Sequence, residues 1–156
     1  MAANVRRATE AEAAALAALR WDFRAEDSEE PAVSFGEFEA AYTTFFLEGI
    51  RSDRRAHFVA EIEGEIVGHV VVQRVPMVPR PKRLDDDWGY ITDNYIKPDH
   101  RNTGLGRRLL EEAIAWSRRE DLELLIVWPS EQAVGHYARA GFAAENDVMQ
   151  LSLRDY

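Results

Sequence analysis

The sequence predicts one α+β domain built on a mixed, mostly antiparallel central sheet. The first observation behind this is the element order. Strand-like and helix-period stretches follow one another as β-α-α-β-β-β-α-β-α-β. The second is a tight Glu63-Gly64 turn between two β-rich runs, which makes a hairpin. The third is the continuous apolar run Leu122 to Trp128 directly after a helix, as expected of a strand buried on both faces. A meander joined to a strand–helix–strand crossover is α+β rather than a regular doubly wound sheet. With 156 residues the chain suits a single domain, residues 1–156, long enough to bury a real core.

In chain order, Val5 to Ala8 reads as a short first strand. Thr9 is placed to cap the next helix, with Glu12 completing a capping box. That helix, Glu10 to about Arg24, carries Ala14, Leu16, Ala18, Leu19 and Phe23 as one apolar stripe. Ser34 and Glu37 form a second capping box before a helix of about Phe35 to Ile50. Its large side chains (Phe35, Phe38, Tyr42, Phe45, Phe46 and Ile50) exceed what one buried stripe needs, so a cavity wall is an open alternative to core.

His57 to Ile62 and Glu65 to Val75 are the hairpin strands, and Gly68 inside the second marks a bulge or a close backbone approach. Pro76 to Asp87 is an irregular loop carrying prolines, a basic cluster at Arg80-Pro81-Lys82-Arg83 and the acidic run Asp85-Asp86-Asp87. Trp88 to Ile96 is the fourth strand and Leu105 to Glu120 an amphipathic helix. Beyond the buried strand, Pro129 is followed by a short helix, Glu131 to Ala140, closing at Gly141. Asp147 to Leu153 is the expected last strand.

Composition narrows the function. The formal net charge of −9 argues against nucleic acid as a partner, because such binders present a basic face. The chain has no cysteine, hence no thiolate ligand or thiol nucleophile, and its 4 histidines show no H-x-x-x-H spacing. No metal site is expected. The N-terminus has no apolar signal-peptide core, and no apolar run approaches membrane-spanning length. A cytoplasmic location, away from the membrane, is therefore the expectation.

The segment Arg101-Asn102-Thr103-Gly104-Leu105-Gly106 stands where the fourth strand gives way to a helix N-terminus. Unpaired backbone N–H groups there carry partial positive charge, and glycines let an anion approach them. The combination predicts a phosphate or diphosphate cradle, with the Arg101 and Arg107 guanidinium groups adding charge. A bare Gly-x-Gly also serves as nothing more than a turn. A dinucleotide fingerprint is excluded, since Leu109 occupies the third glycine position and the motif follows the fourth strand. The Walker pattern is absent too.

Three segments in order resemble the GCN5-related N-acetyltransferase (GNAT) superfamily. They are Tyr95-Ile96-Lys97-Pro98-x-x-Arg101-x-x-Gly104-x-Gly106, similar to the family's [QR]-x-x-G-x-[GA] coenzyme A loop; the buried strand Leu124 to Trp128; and Tyr137-x-x-x-Gly141-Phe142, like the family's Y-x-x-x-G-F. Element order matches along essentially the whole chain. The chain departs from the family at Ser130, where an Asn is common, and at His136, where an aromatic often precedes the tyrosine.

The resemblance implies acetyl transfer from acetyl-CoA, without a metal, to a primary amine of a small molecule. It also implies a sheet whose fourth and fifth strands splay around the cofactor. Tyr95, Ile96 and Lys97 would hold the acetyl group and pantetheine arm, the backbone of Arg101, Asn102, Thr103, Gly104, Leu105 and Gly106 the diphosphate, and Ser130 a cofactor amide or ribose. Tyr137 matches the tyrosine that protonates the departing thiolate.

A neutral amine requires a base, for which Asp93, another carboxylate or a water chain stand as alternatives. Alternation puts Asp93 on the side of Tyr95 and Asn94 on the other. Trp21, Asp22 and Glu26, with the Pro76–Asp87 loop, are expected around the acceptor. Protein N-terminal or lysine acetylation and non-catalytic acyl-CoA binding are the competing readings. A homodimer through an edge strand or the last strand is compatible with the pattern.

Overall fold

The computed structural model describes residues 2–144 and 147–154. Its elements are β1 (Asn4–Arg7), α1 (Ala13–Glu26), α2 (Phe35–Arg51), β2 (Arg55–Ile62), β3 (Glu65–Val75), β4 (Trp88–Ile96), α3 (Leu105–Arg119), β5 (Leu124–Ile126) and α4 (Val134–Arg139). The strands form one five-stranded sheet in sequence order, antiparallel from β1 to β4 and parallel between β4 and β5. The α+β class and the element order up to α4 are as expected. Both anticipated capping boxes are in place: the Glu12 carboxylate accepts the Thr9 N–H at 2.8 Å, and Ser34 Oγ accepts the Glu37 N–H at 3.2 Å.

Side chains alternate across the strands into two apolar layers. On one face Ala56, Phe58, Val70, Val72 and Ile91 pack against Leu105, Leu109, Leu110 and Trp116 of α3. On the other, Val59 and Tyr95 pack against Leu16, Leu19, Tyr42 and Phe46 of α1 and α2. The aromatic excess of α2 is therefore core and its fringe. Phe45 is covered by the Arg55 guanidinium, 3.5 Å from the ring centroid.

Two irregularities shape the sheet near its functional end. At Gly68, β3 shifts register against β2, and the glycine lies against β4 so closely that an added Cβ would meet the Tyr95 carbonyl at 2.9 Å. On β4, His69 pairs with Tyr95 but Val71 pairs with Thr92, so Asp93 and Asn94 together oppose one residue, and Asp93 takes φ 56°. This bulge breaks the two-residue period. Ile91 and Ile96 face α3, whereas Tyr95 faces α1 and α2.

Two expectations fail. Residues 147–154 form no strand. The outer edge of β5 has no strand partner among the described residues, and a lone extended segment has nothing to satisfy its backbone. The Pro76–Asp87 loop also lies away from Asp22 and Glu26, with which it was expected to stand. It enters β4 at Trp88, the opposite end from Ile96, and ion pairs from Arg80 to Glu123 (2.7 Å) and from Arg83 to Asp121 hold it beside the start of β5.

Candidate functional site

β4 and β5 pair only from Trp88–Leu124 to Tyr90–Ile126. From Ile91 to Ile96, β4 runs on with no partner on that side among the described residues, so the sheet splits into a wedge. The wedge opens into a groove of about 1050 Å³ lined on one side by Asn94, Ile96 and the Arg101–Gly106 turn, and on the other by His136, Tyr137 and Arg139 of α4.

Helix α3 starts at this groove. Its first backbone bond inside the helix runs from the Arg108 N–H to the Gly104 carbonyl at 3.1 Å, so the N–H groups of Leu105, Gly106 and Arg107 precede the ladder. Gly104 holds φ 85°, which a Cβ would strain. A Cβ on Gly106 would project between Asn94, Ile96 and His136, into the space the groove leaves. Arg107, Glu111, Ile114 and Arg118 line one wall of it. Their helical spacing is a signal that sequence reading passed over. The groove is thus long, predominantly basic and floored by free donors, and a diphosphate with an extended arm fits it.

Tyr137 is buried among Ile96, Leu105 and Phe142, with its ring 5.4 Å from Phe142. Burial raises its pKa, and the neighbouring Asn94 side chain partly offsets the rise. The phenol therefore stays protonated at neutral pH and is available as a donor. Asn94 Nδ2 also lies 2.9 Å from His136 Nε2. Burial and the charge of Arg139 lower the His136 pKa, so that ring is neutral. Sequence reading placed Asn94 correctly on the opposite side from Tyr95 but assigned it no role.

A second cavity, about 640 Å³, lies on the other face of the β4 end, lined by Asp22, Glu26, Glu65, Tyr95, Lys97 and His100. The Tyr95 hydroxyl donates to Glu26 Oε1 at 3.1 Å, and burial together with that carboxylate pushes its pKa up to about 12. Arg101 joins the two spaces. It lines the first groove, yet its guanidinium donates to both Glu26 oxygens at 2.6 and 2.9 Å and to the Ile96 carbonyl at 2.9 Å.

The structure distributes the expected site residues unevenly. Ile96, Arg101, Asn102, Gly104, Leu105, Gly106, Arg107 and Tyr137 meet in the groove, and Asp22, Glu26, Tyr95 and Lys97 meet in the second cavity. Four fall outside both linings. The Thr103 hydroxyl turns away to the His100 carbonyl at 2.6 Å. Ser130 stands at the start of the turn before α4, where its side chain makes no capping bond. Trp21 packs between the helices, 5.4 Å from both Phe35 and Phe38. Asp93 does face the Tyr95 side, but it is buried and paired with Arg20 of α1 at 2.5 Å.

A sheet split at its fourth strand, with unpaired helix N–H groups on one side of the split and an acidic cavity on the other, gives the chain a recognisable scaffold. The comparisons name it. Residues 14–142 match the model of the Acetyltransferase (GNAT) family, and the chain belongs to that family and to its class of enzyme, the N-acetyltransferases. Among curated relatives, it is 30% identical over 105 residues to glucosamine 6-phosphate N-acetyltransferase of Trypanosoma brucei brucei, covering 64% of this chain and 69% of the relative. It is 29% identical over 98 residues to an L-amino acid N-acetyltransferase of Escherichia coli, covering 62% of this chain and 59% of that one. In fold it is similar to a predicted acetyltransferase from Clostridium acetobutylicum solved with acetyl-CoA, with TM-score 0.85, 18% identity and 97% of both chains covered.

Proposed function

We propose that this chain transfers an acetyl group from acetyl-CoA to the primary amine of a small, cationic molecule. The observation that carries the reading is the pair of spaces meeting at the free end of β4, one basic and floored by helix N–H groups, the other acidic. Acetyl-CoA would supply the activated thioester. The N–H groups of Leu105, Gly106 and Arg107 would hold its diphosphate, with Arg107, Arg118 and Arg139 contributing charge along the groove. Backbone groups of β4 left unpaired by the wedge would hold the acetyl carbonyl and polarise it.

On the acceptor side, Asp22 and Glu26 would attract a protonated amine, and Glu26, directly or through water, would take its proton before attack. In this reading the proton-acceptor role moves from Asp93 to Glu26, because Asp93 lines neither space whereas Glu26 lines the acidic cavity. Tyr137, kept protonated by burial, would donate to the departing thiolate, with Asn94 and His136 setting its orientation. The relatives named for glucosamine 6-phosphate and for L-amino acids support a small amine as acceptor. Release of free coenzyme A thiol from acetyl-CoA, measured against a panel of amines, tests this. Amine-dependent thiol release is expected. Tight coenzyme A binding with no thiol released by any amine would instead favour a binding-only domain.

A further inference from the structure

Arg101 stands on the border between the groove and the acidic cavity. It opens the turn whose Asn102, Gly104 and Gly106 line the groove, and it lines the groove itself. Its guanidinium nevertheless reaches the other face of β4. One terminal nitrogen donates to both Glu26 oxygens, at 2.6 and 2.9 Å, and Nε donates to the Ile96 carbonyl at 2.9 Å. The ion pair is open to water, with Arg101 40% and Glu26 42% exposed, so solvent screens it and another anion can displace it. Glu26 has a second partner. The Tyr95 hydroxyl donates to its Oε1 at 3.1 Å from a buried ring, so the carboxylate stays oriented when the guanidinium turns away.

We propose that Arg101 is a positioning residue for which two anions compete, the Glu26 carboxylate and the diphosphate of coenzyme A. The proposal rests on the reading of groove and cavity given above and adds a coupling between them. A guanidinium pairs with phosphate oxygens in the same forked geometry that it offers a carboxylate. A diphosphate on the N–H groups of Leu105, Gly106 and Arg107 adjoins the turn that Arg101 opens, and draws the side chain into the groove. Glu26 is then left with Tyr95, and its charge is available to a protonated amine in the cavity that it lines with Asp22. The coupling is reciprocal, as linkage requires: an amine seated on Glu26 releases Arg101 to the cofactor. Cofactor and acceptor therefore strengthen each other's binding.

The test is coenzyme A affinity, measured by titration calorimetry with no amine present. Glu26→Gln should tighten coenzyme A about 2- to 5-fold, the range of an exposed ion pair, although Glu26 lies outside the groove. Damage to the fold would weaken binding, so the sign separates a competing partner from a structural one. Arg101→Gln should weaken coenzyme A, and Glu26→Gln added to Arg101→Gln should change its affinity no further. Coenzyme A affinity unchanged or weakened in Glu26→Gln overturns the proposal. So does an equal tightening with Arg101 already replaced, because the carboxylate would then act only as a nearby charge. Either result leaves acetyl transfer standing, whereas a wild-type chain that binds no coenzyme A removes the reading of the groove and this proposal together.

Discussion

In the proposed reaction Tyr137 acts as a donor through its position. Its phenol would titrate far above neutrality even in water, and burial moves it further from ionising. What the fold adds is direction, through Asn94 and the neutral His136 beside it. Tyr137→Phe is expected to lower kcat on the order of 10²-fold, the lower range of general-acid effects, while calorimetric affinity for coenzyme A is kept. An unchanged kcat would remove Tyr137 from the chemistry. Glu26 and Asp93 make a paired prediction. Glu26→Gln should lower kcat/KM on the order of 10²-fold, read with the preferred amine at saturating acetyl-CoA. Asp93→Asn should leave kcat/KM close to that of the wild type and lower stability by about 1–2 kcal/mol, since it breaks a half-covered ion pair with Arg20.

At the scale of elements, β3 and β4 decide where the two spaces open. The motif of strand, glycine turn and helix was legible in the sequence because cap, turn and helix periodicity are local. The bulge at Asp93–Asn94 was not. It depends on the register between β3 and β4, and a one-residue slip there exchanges the faces of every residue beyond it. The order of faces from Asp93 to Tyr95 was still read correctly, because alternation resumes after the bulge. Gly68 contributes through what it lacks. Gly68→Ala would drive a methyl into the Tyr95 carbonyl, and neither strand can move without disturbing the bulge. A cost of about 1–3 kcal/mol is expected, read as a lower melting temperature, together with weaker coenzyme A binding. A full-strength melt and unaltered binding would show that β4 tolerates the displacement.

For the whole molecule, the layer under α1 and α2 carries an acid-sensitive pair. His57 and His69 are buried with no hydrogen-bond partner on either ring. Burial, then His69 and the nearby arginines, lowers the His57 pKa to about 3, and burial lowers that of His69. The unfolded chain binds protons on both rings below about pH 6.5, whereas the folded chain does not. Stability is therefore fully present above that pH and falls as pH drops through the interval down to the folded value. The slope approaches about 1.4 kcal/mol per pH unit for each ring. Urea denaturation between pH 7 and 5 should show this loss, and His57→Phe should flatten it. A wild-type stability independent of pH over that range would contradict the account.

The sequence by itself determined the element order as far as α4, the family, the glycine turn that starts α3 and the tyrosine of the last helix. Each of these is written in contiguous residues, through caps, glycines at required conformations and apolar period. Only the tertiary structure decided which carboxylates line the second cavity, that Arg101 reaches across to Glu26, and that the Pro76–Asp87 loop lies at the far end of β4. It also left the C-terminal segment outside the sheet of its own chain. These depend on contacts between residues far apart in sequence, chosen by strand register and by competition among charged partners. No local pattern records that choice.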